Sequence, residues 1–256
     1  MLRAVLASFL VLALGLACDS GPPGPAHVRF AHFVPDAPAL DFCLKPEGVA
    51  AFGSPFVGGA GMSYPSMSAR TDLDAGTYSI RLVPGGATSC ATSLNGLGDI
   101  TGLNLDGDGT PTLALIGRLT GTGTPALTMQ AYNDRTSPTP SGGVSLRGIN
   151  VAPGSNPQDV GVVSASLFQT FATGVGYQSA SGYQTISITP NATNVQANLA
   201  ARDSTSQAVW ASGVFNNVSD TGVYTLYVIG IPGQSSVQRP SLLLCSDNSL
   251  SCAQSP

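Results

Sequence analysis

The one grouping in this sequence that could support hydrolysis is His32 with Asp36 or Asp41, since an imidazole base needs a carboxylate to orient it and a hydroxyl to deprotonate. No G-x-S-x-G elbow accompanies it. The second histidine, His27, lies beside a proline-rich stretch, so a Ser-His-Asp enzyme is the minor reading. Asn104, Asp106 and Asp108, followed by Gly109, reproduce the opening of a calcium loop, in which alternate residues supply oxygens and a glycine at the sixth position permits the wrap. The twelfth position is Leu115 rather than a bidentate Glu, and LNLDGDGTPTLAL reads better as two strands joined by a hairpin turn. Pro35-Asp36-Ala37-Pro38 reads as a rigid turn, with the prolines fixing φ and Asp36 bonding its own backbone two residues on. Walker loops, HExxH and glycine cradles set between strand and helix are absent, and no cofactor or metal is implied.

The elements that must position these residues are strands. Charged side chains make up 9% of the 256 residues, with one Lys (Lys45) and one Glu (Glu47), while Gly reaches 31 and Pro 19. Helices draw on Glu and Lys, so this composition points to an all-β chain. A hydrophobic fraction of 43% argues against disorder, and a net charge of −4 leaves no basic surface for nucleic acid. Apolar residues alternate, or run for a few positions, between Gly, Pro, Asn and Asp. The strands expected in the first half are Val28–Phe33, Leu40–Leu44, Tyr78–Val83, Ile100–Leu105, Thr112–Arg118 and Ala126–Tyr132. In the second they are Val144–Ile149, Asp159–Val163, Tyr183–Thr189, Val195–Ala201, Ala208–Ala211, Val223–Ile229 and Ser241–Leu244.

The amino terminus is an address. Residues 1–17 form a signal peptide whose uncharged run, Ala4 to Ala17, is too short to span a bilayer. Its end, Leu14-Gly15-Leu16-Ala17-Cys18, resembles the bacterial lipobox, with Gly15 where the consensus has Leu. That resemblance implies a diacylglycerol on Cys18, and two acyl chains at about 0.8 kcal/mol per buried methylene hold a protein on a membrane without spanning it. Residues 18–26 read as a proline-rich tether. Export also suits the remaining cysteines, Cys43, Cys90, Cys245 and Cys252, an even set that would form two disulfides.

The chain repeats. Val28–Leu44 aligns with Leu146–Val162 at an offset of 118, matching Arg29 with Arg147, Pro35 with Pro153 and Asp41 with Asp159. Gly76–Pro84 (GTYSIRLVP) matches Gly182–Pro190 (GYQTISITP) at 106, and Thr112–Gly117 (TLALIG) matches Thr225–Gly230 (TLYVIG) at 113. Three collinear matches imply two copies of one module, expected as two tandem immunoglobulin-like antiparallel β-sandwich domains over 27–136 and 144–248. A linker at 137–143 joins them and a tail at 249–256 follows. Gly161 replaces Cys43 in the second copy and Cys90 has no counterpart there, which pairs Cys43 with Cys90 and Cys245 with Cys252. The recurrence of Arg29 with Asp41, and of Arg147 with Asp159, reads as a shared scaffold bond. The drop in offset places about 12 extra residues within Lys45–Pro65, a loop that is either neutral or a recognition surface. Trp210, in an alternating run, is expected to pack in the core.

With these residues on view, VRFAHFVPDAPALDFCL, AGTYSIRLVP and TLALIG resemble the bacterial envelope family known as domain of unknown function 4397. Val28, Arg29, His32, Pro35, Asp36, Ala37, Pro38 and Asp41 carry the pattern, while the second copy has Asn150 for His32 and Gly154 for Asp36. The resemblance implies exported, often lipid-anchored β-domains in tandem, with no established activity. The expected protein is therefore a non-enzymatic envelope lipoprotein. It would be lipid-anchored on a membrane, facing either the periplasm or the exterior, and would serve surface adhesion or ligand binding, with an envelope protein or a glycan as the partner. The alternatives are a spacer without a ligand and an exported hydrolase.

Overall fold

The computed structural model describes residues 23–120, 125–165, 167–249 and 251–255. The signal peptide, the Cys18 lipidation site and most of the tether lie outside them. The first half runs β1 (Ala26–His32), β2 (Leu40–Pro46), β3 (Ser66–Met67), β4 (Thr71–Leu73), β5 (Gly76–Pro84), β6 (Ile100–Leu105), β7 (Pro111–Ile116) and β8 (Thr128–Asn133). The second runs β9 (Gly143–Asn150), β10 (Gln158–Ser164), β11 (Leu167–Val175), β12 (Gln184–Ser187), β13 (Val195–Asp203), β14 (Val209–Val218), β15 (Val223–Ile229), β16 (Ser241–Ser246) and β17 (Cys252–Gln254). The only helical elements among the described residues are two 3-10 turns, so the all-β expectation holds.

Four sheets stack. In the first half, β3-β1-β7-β8, with β4 beside β1, faces β2-β5-β6; in the second, β12-β9-β15-β16-β17 faces β11-β10-β13-β14. The sequence alternation explains this stacking. Val28 and Phe30 of β1, with Leu113 and Leu115 of β7, point into the first core among Phe42, Ile80 and Leu82. Their neighbours Ala31, Phe33, Ala114 and Ile116 point the other way, into a third core with Ile149, Val151, Tyr227, Ile229 and Leu243. On the far side, Leu226 and Val228 of β15 pack the second core with Val160, Leu199 and Phe215. The two inner sheets are thus buried on both faces, which is why TLALIG and TLYVIG are almost wholly apolar. Their second apolar face needs the other half, so the two sandwiches share a core.

The pairing of β1, β2, β4, β5, β6, β7 and β8 in the first sandwich repeats as that of β9, β10, β12, β13, β14, β15 and β16 in the second, while β11 and β17 have no counterpart strand in the first half. Each inner sheet holds one parallel pair, β1 with β7 and β9 with β15, in otherwise antiparallel surroundings. The register corrects the expected alignment. Asp41 lies opposite Val83, whereas Asp159 lies opposite Arg202, so β5 corresponds to β13 and not to Gly182–Pro190. The segment Gly182–Pro190 instead contains β12, which pairs with β9 as β4 pairs with β1. The offset falls from 118 at Val28 and Leu146 to 113 at Thr71 and Gln184, so the segment between β2 and β4 is longer by five residues, rather than twelve, than that between β10 and β12.

Three further expectations change. The strands β6 and β7 belong to different sheets, so Asp106–Gly109 is a turn that carries the chain between layers and not a hairpin. The linker is docked: Thr139 is buried, its amide donates to the Thr221 carbonyl, and Gly143 already belongs to β9. The expected tail contributes β17, paired with β16 and joined to it by the Cys245–Cys252 disulfide. The Cys43–Cys90 disulfide is also present. Trp210 packs partly buried against the second core, its indole N–H donating to the Ile229 carbonyl at 3.3 Å.

Candidate functional site

His32 is fully buried at the end of β1. Its Nδ1 accepts from the Val34 amide at 3.3 Å, and its Nε2 lies 3.3 Å from the Pro38 carbonyl, which can only accept, so the proton sits on Nε2. Burial disfavours the imidazolium and lowers the pKa from 6.5 to about 4. Both nitrogens are committed to the backbone, leaving none to deprotonate a hydroxyl. Asn150 occupies the matching place in the second half, with Oδ1 accepting from Ala152 and Nδ2 donating to the Val175 carbonyl. An amide and a neutral imidazole offer the same donor and acceptor pair, which explains the exchange.

Asp36 does not bond its own turn in the expected way. Its carboxylate accepts from the Leu119 and Thr120 amides and the Thr120 hydroxyl, tying the turn to the segment after β7. Burial alone would raise its pKa, but these donors together hold it below the usual range.

Arg29 and Asp41 are not bonded to each other. Asp41, buried on β2, accepts from the amides of Phe42 (2.7 Å), Val57 (2.8 Å) and Gly58 (2.6 Å). Asp159 likewise accepts from the Gly174 amide and the Ser204 hydroxyl. Both aspartates therefore pin the segment that follows their strand. Asp41→Ala is expected to cost about 1–3 kcal/mol by leaving these donors unpaired. Hydrogen exchange should show faster exchange at Val57 and Gly58 than at β7.

Arg29 and Arg147 instead face each other's halves. Arg29 donates from Nε to Thr112 (2.7 Å), from Nη1 to the Ser246 carbonyl (3.1 Å) and from Nη2 to Asp247 (2.8 Å). Arg147 donates from Nε to Thr225 (2.8 Å), from Nη1 to the Asn133 carbonyl (2.7 Å) and from Nη2 to Asp134. Asp134 also accepts from Thr112, and Asp247 from Thr225 and Tyr183. Asp134 lies 2.9 Å from Arg29 as well and 2.5 Å from Arg70. Burial, and then the neighbouring charge of Asp134, push the Asp247 carboxyl above its ordinary range against the pull of Arg147 and Arg29. This reciprocal knot closes the shared core. Asp134, Asp247, Thr112 and Thr225 were missed in the sequence, although carrying the 113 offset forward aligns both pairs.

The calcium candidates do not converge. Asn104 Nδ2 donates to Asp106 at 3.1 Å, the Asp108 amide donates to the Pro25 carbonyl, and Leu115 is fully buried in the first core. Among the described residues no group of three or more His, Cys, Asp or Glu side chains is placed to hold a metal. Calorimetric titration with millimolar calcium chloride is expected to give only the heat of dilution.

An open cleft of about 600 Å³ lies on the outer face of the first sandwich, lined by Lys45, Phe52, Ser54, Arg81, Thr88 and Ser89 among others. Phe52, from the loop after β2, lies under two cations: Arg81 Cζ is 4.3 Å from its centroid and Lys45 Nζ 5.2 Å. Arg81 is held by Asp99 at 2.7 and 2.9 Å and by the Cys90 carbonyl at 2.9 Å. The second sandwich repeats part of this pattern, with Arg202 Cζ 4.0 Å from the Phe168 ring. There Gly161, at the position of Cys43, leaves room for that ring, since an added Cβ would lie 2.7 Å from it.

The family model for domain of unknown function 4397 matches residues 26–161, more than half of the chain, and the chain belongs to that family. The match runs through the first sandwich to β9 and part of β10, and so includes Arg147. No curated protein matches. Among solved structures, the chain is similar at 9% identity to a Bacteroides thetaiotaomicron protein of domain of unknown function 1812, whose name suggests polysaccharide binding. That likeness covers 90% of this chain and 98% of the other with a TM-score of 0.23, and carries no argument.

Proposed function

We propose that this protein is an exported, non-enzymatic envelope lipoprotein, held by a lipid on Cys18, whose two sandwiches derive from duplication of one family domain and present a ligand-binding surface. The observation that carries this reading is the use made of its reactive groups. His32, Asp36, Asp41, the two interior arginines and their aspartates are each satisfied by scaffold bonds. The cleft over Phe52, by contrast, is open and lined by polar and cationic side chains. Duplication is supported by the matching Arg–Thr–carbonyl–Asp sets of the two halves. Two disulfides fit an oxidising compartment, and among the described residues no helix is long and apolar enough to cross a membrane.

The ligand is expected to be a glycan or an envelope protein. Titrating the purified chain against a glycan array and against fractionated envelope components should give at least one saturable interaction. The absence of any would favour the spacer reading. Incorporation of labelled fatty acid, abolished by Cys18→Ala, would test the anchor, and an unlabelled wild-type chain would contradict it.

A further inference from the structure

Building on the binding reading above, we infer that the cleft beside Lys45 takes a singly charged acidic sugar, a uronate residue of a polysaccharide, with its carboxylate on the Lys45 ammonium. Lys45 is the only lysine in a chain of net charge −4. Its side chain is half-buried on β2, and its Nζ lies 5.2 Å from the Phe52 ring centroid. Among the described residues no carboxylate lies within 4.0 Å of it, whereas Arg81 is already neutralised by Asp99. The three charges of the site, Lys45, Arg81 and Asp99, therefore leave one positive charge unmatched, which suits a monoanion better than a doubly charged phosphate ester.

The rest of the cleft favours a sugar over a bare carboxylate. The hydroxyls of Ser54, Thr88 and Ser89 offer both donors and acceptors to ring hydroxyls, and a volume of about 600 Å³ falls in the range of small-ligand sites. Its open shape lets a polymer run through, so that an internal residue of a chain could be read. The site is also preorganised. The disulfide from Cys43 on β2 to Cys90 staples the Thr88–Ala91 wall to the floor, and Arg81 braces the same wall through the Cys90 carbonyl. A wall already fixed has little conformational entropy left to lose on binding.

The test is calorimetric titration of the oxidised chain with trigalacturonate, triglucuronate and trimannuronate, each beside its methyl ester, which removes the charge and keeps the shape. At least one acid is expected to bind at least tenfold more tightly than its ester. Lys45→Met should weaken that binding at least tenfold with an unchanged melting temperature, and Lys45→Arg should retain most of it. Equal affinity for acid and ester, indifference to Lys45→Met, or no binding by any acid would each overturn the inference. If the array nevertheless yields a saturable neutral glycan, the binding reading survives alone. If neither the array nor the envelope fractions yield a saturable interaction, both fall.

Discussion

Arg29→Met is expected to destabilise the whole molecule by about 3–5 kcal/mol, the range for removing one partner of a buried ion pair and stranding the other. The reason lies in what Arg29 leaves behind. Asp247 and Asp134 are both completely buried side chains, and without the guanidinium they face each other's charge with Arg147 and Arg70 as the remaining cations. Thr112 and the Ser246 carbonyl lose a donor as well. Urea denaturation at pH 7 should show the midpoint falling with little change in slope. A second substitution separates charge from packing: Asp247→Asn in the Arg29→Met background should recover part of the loss, because the stranded carboxylate is then gone. Arg29→Lys should not rescue, since an ammonium cannot reach Thr112, the Ser246 carbonyl and Asp247 together as the planar guanidinium does.

The second large effect is a pH dependence centred on His32. Its folded pKa is about 4 against 6.5 for the free side chain, so between these values the unfolded chain binds a proton that the folded chain refuses. Stability is therefore full above about pH 6.5 and falls as the pH drops toward 4, by about 3 kcal/mol at about 1.4 kcal/mol per pKa unit. His32→Asn copies the side chain that Asn150 places at the matching point of the second half, and should remove that loss, leaving only the opposite contribution of Asp247, whose raised pKa favours the folded chain as the pH falls, with stability at pH 7 close to wild type. Denaturation midpoints of the two proteins between pH 4 and 7 check this. Parallel profiles would show that His32 is not the group responsible. Below pH 4 a separate loss is expected in both proteins as Asp36, Asp159 and Asp203, whose pKa values are depressed by hydrogen bonds, take up protons.

Much of this architecture was legible in the residues because strand alternation is a local property. Ile100–Leu105 and Val223–Ile229 fall where their patterns place them. Short edge strands such as β3 and β4 carry too few residues to show a period, and β11 is largely solvent-facing, so its apolar pattern is weak. The error over Gly182–Pro190 has a related cause: GYQTISITP resembles GTYSIRLVP in sequence, whereas VQANLAARD of β13 shares no residue with it at the aligned positions, and only hydrogen-bond register shows that β13 is its counterpart.

The site was less legible than the fold. That Arg29 and Arg147 belong to the scaffold could be read from their recurrence, but their partners lie just past the ends of β8 and β16: Asp247 is 218 residues from Arg29, and Asp134, although only 13 from Arg147, lies across a boundary that the SPTPSGG linker made look like a division between independent domains. The cleft was visible only as a loop holding the single lysine. Its aromatic floor depends on Phe52 folding back over β2 and β5, which no local pattern specifies.

Differential scanning calorimetry of the oxidised chain from residue 23 onward tests the central claim, that the two sandwiches form one body joined by the Arg29–Asp247 and Arg147–Asp134 bonds and a shared core. One transition is predicted, with equal calorimetric and van't Hoff enthalpies, moving as a whole to lower temperature in Arg29→Met. Two separable transitions, one of them indifferent to that substitution, would contradict it.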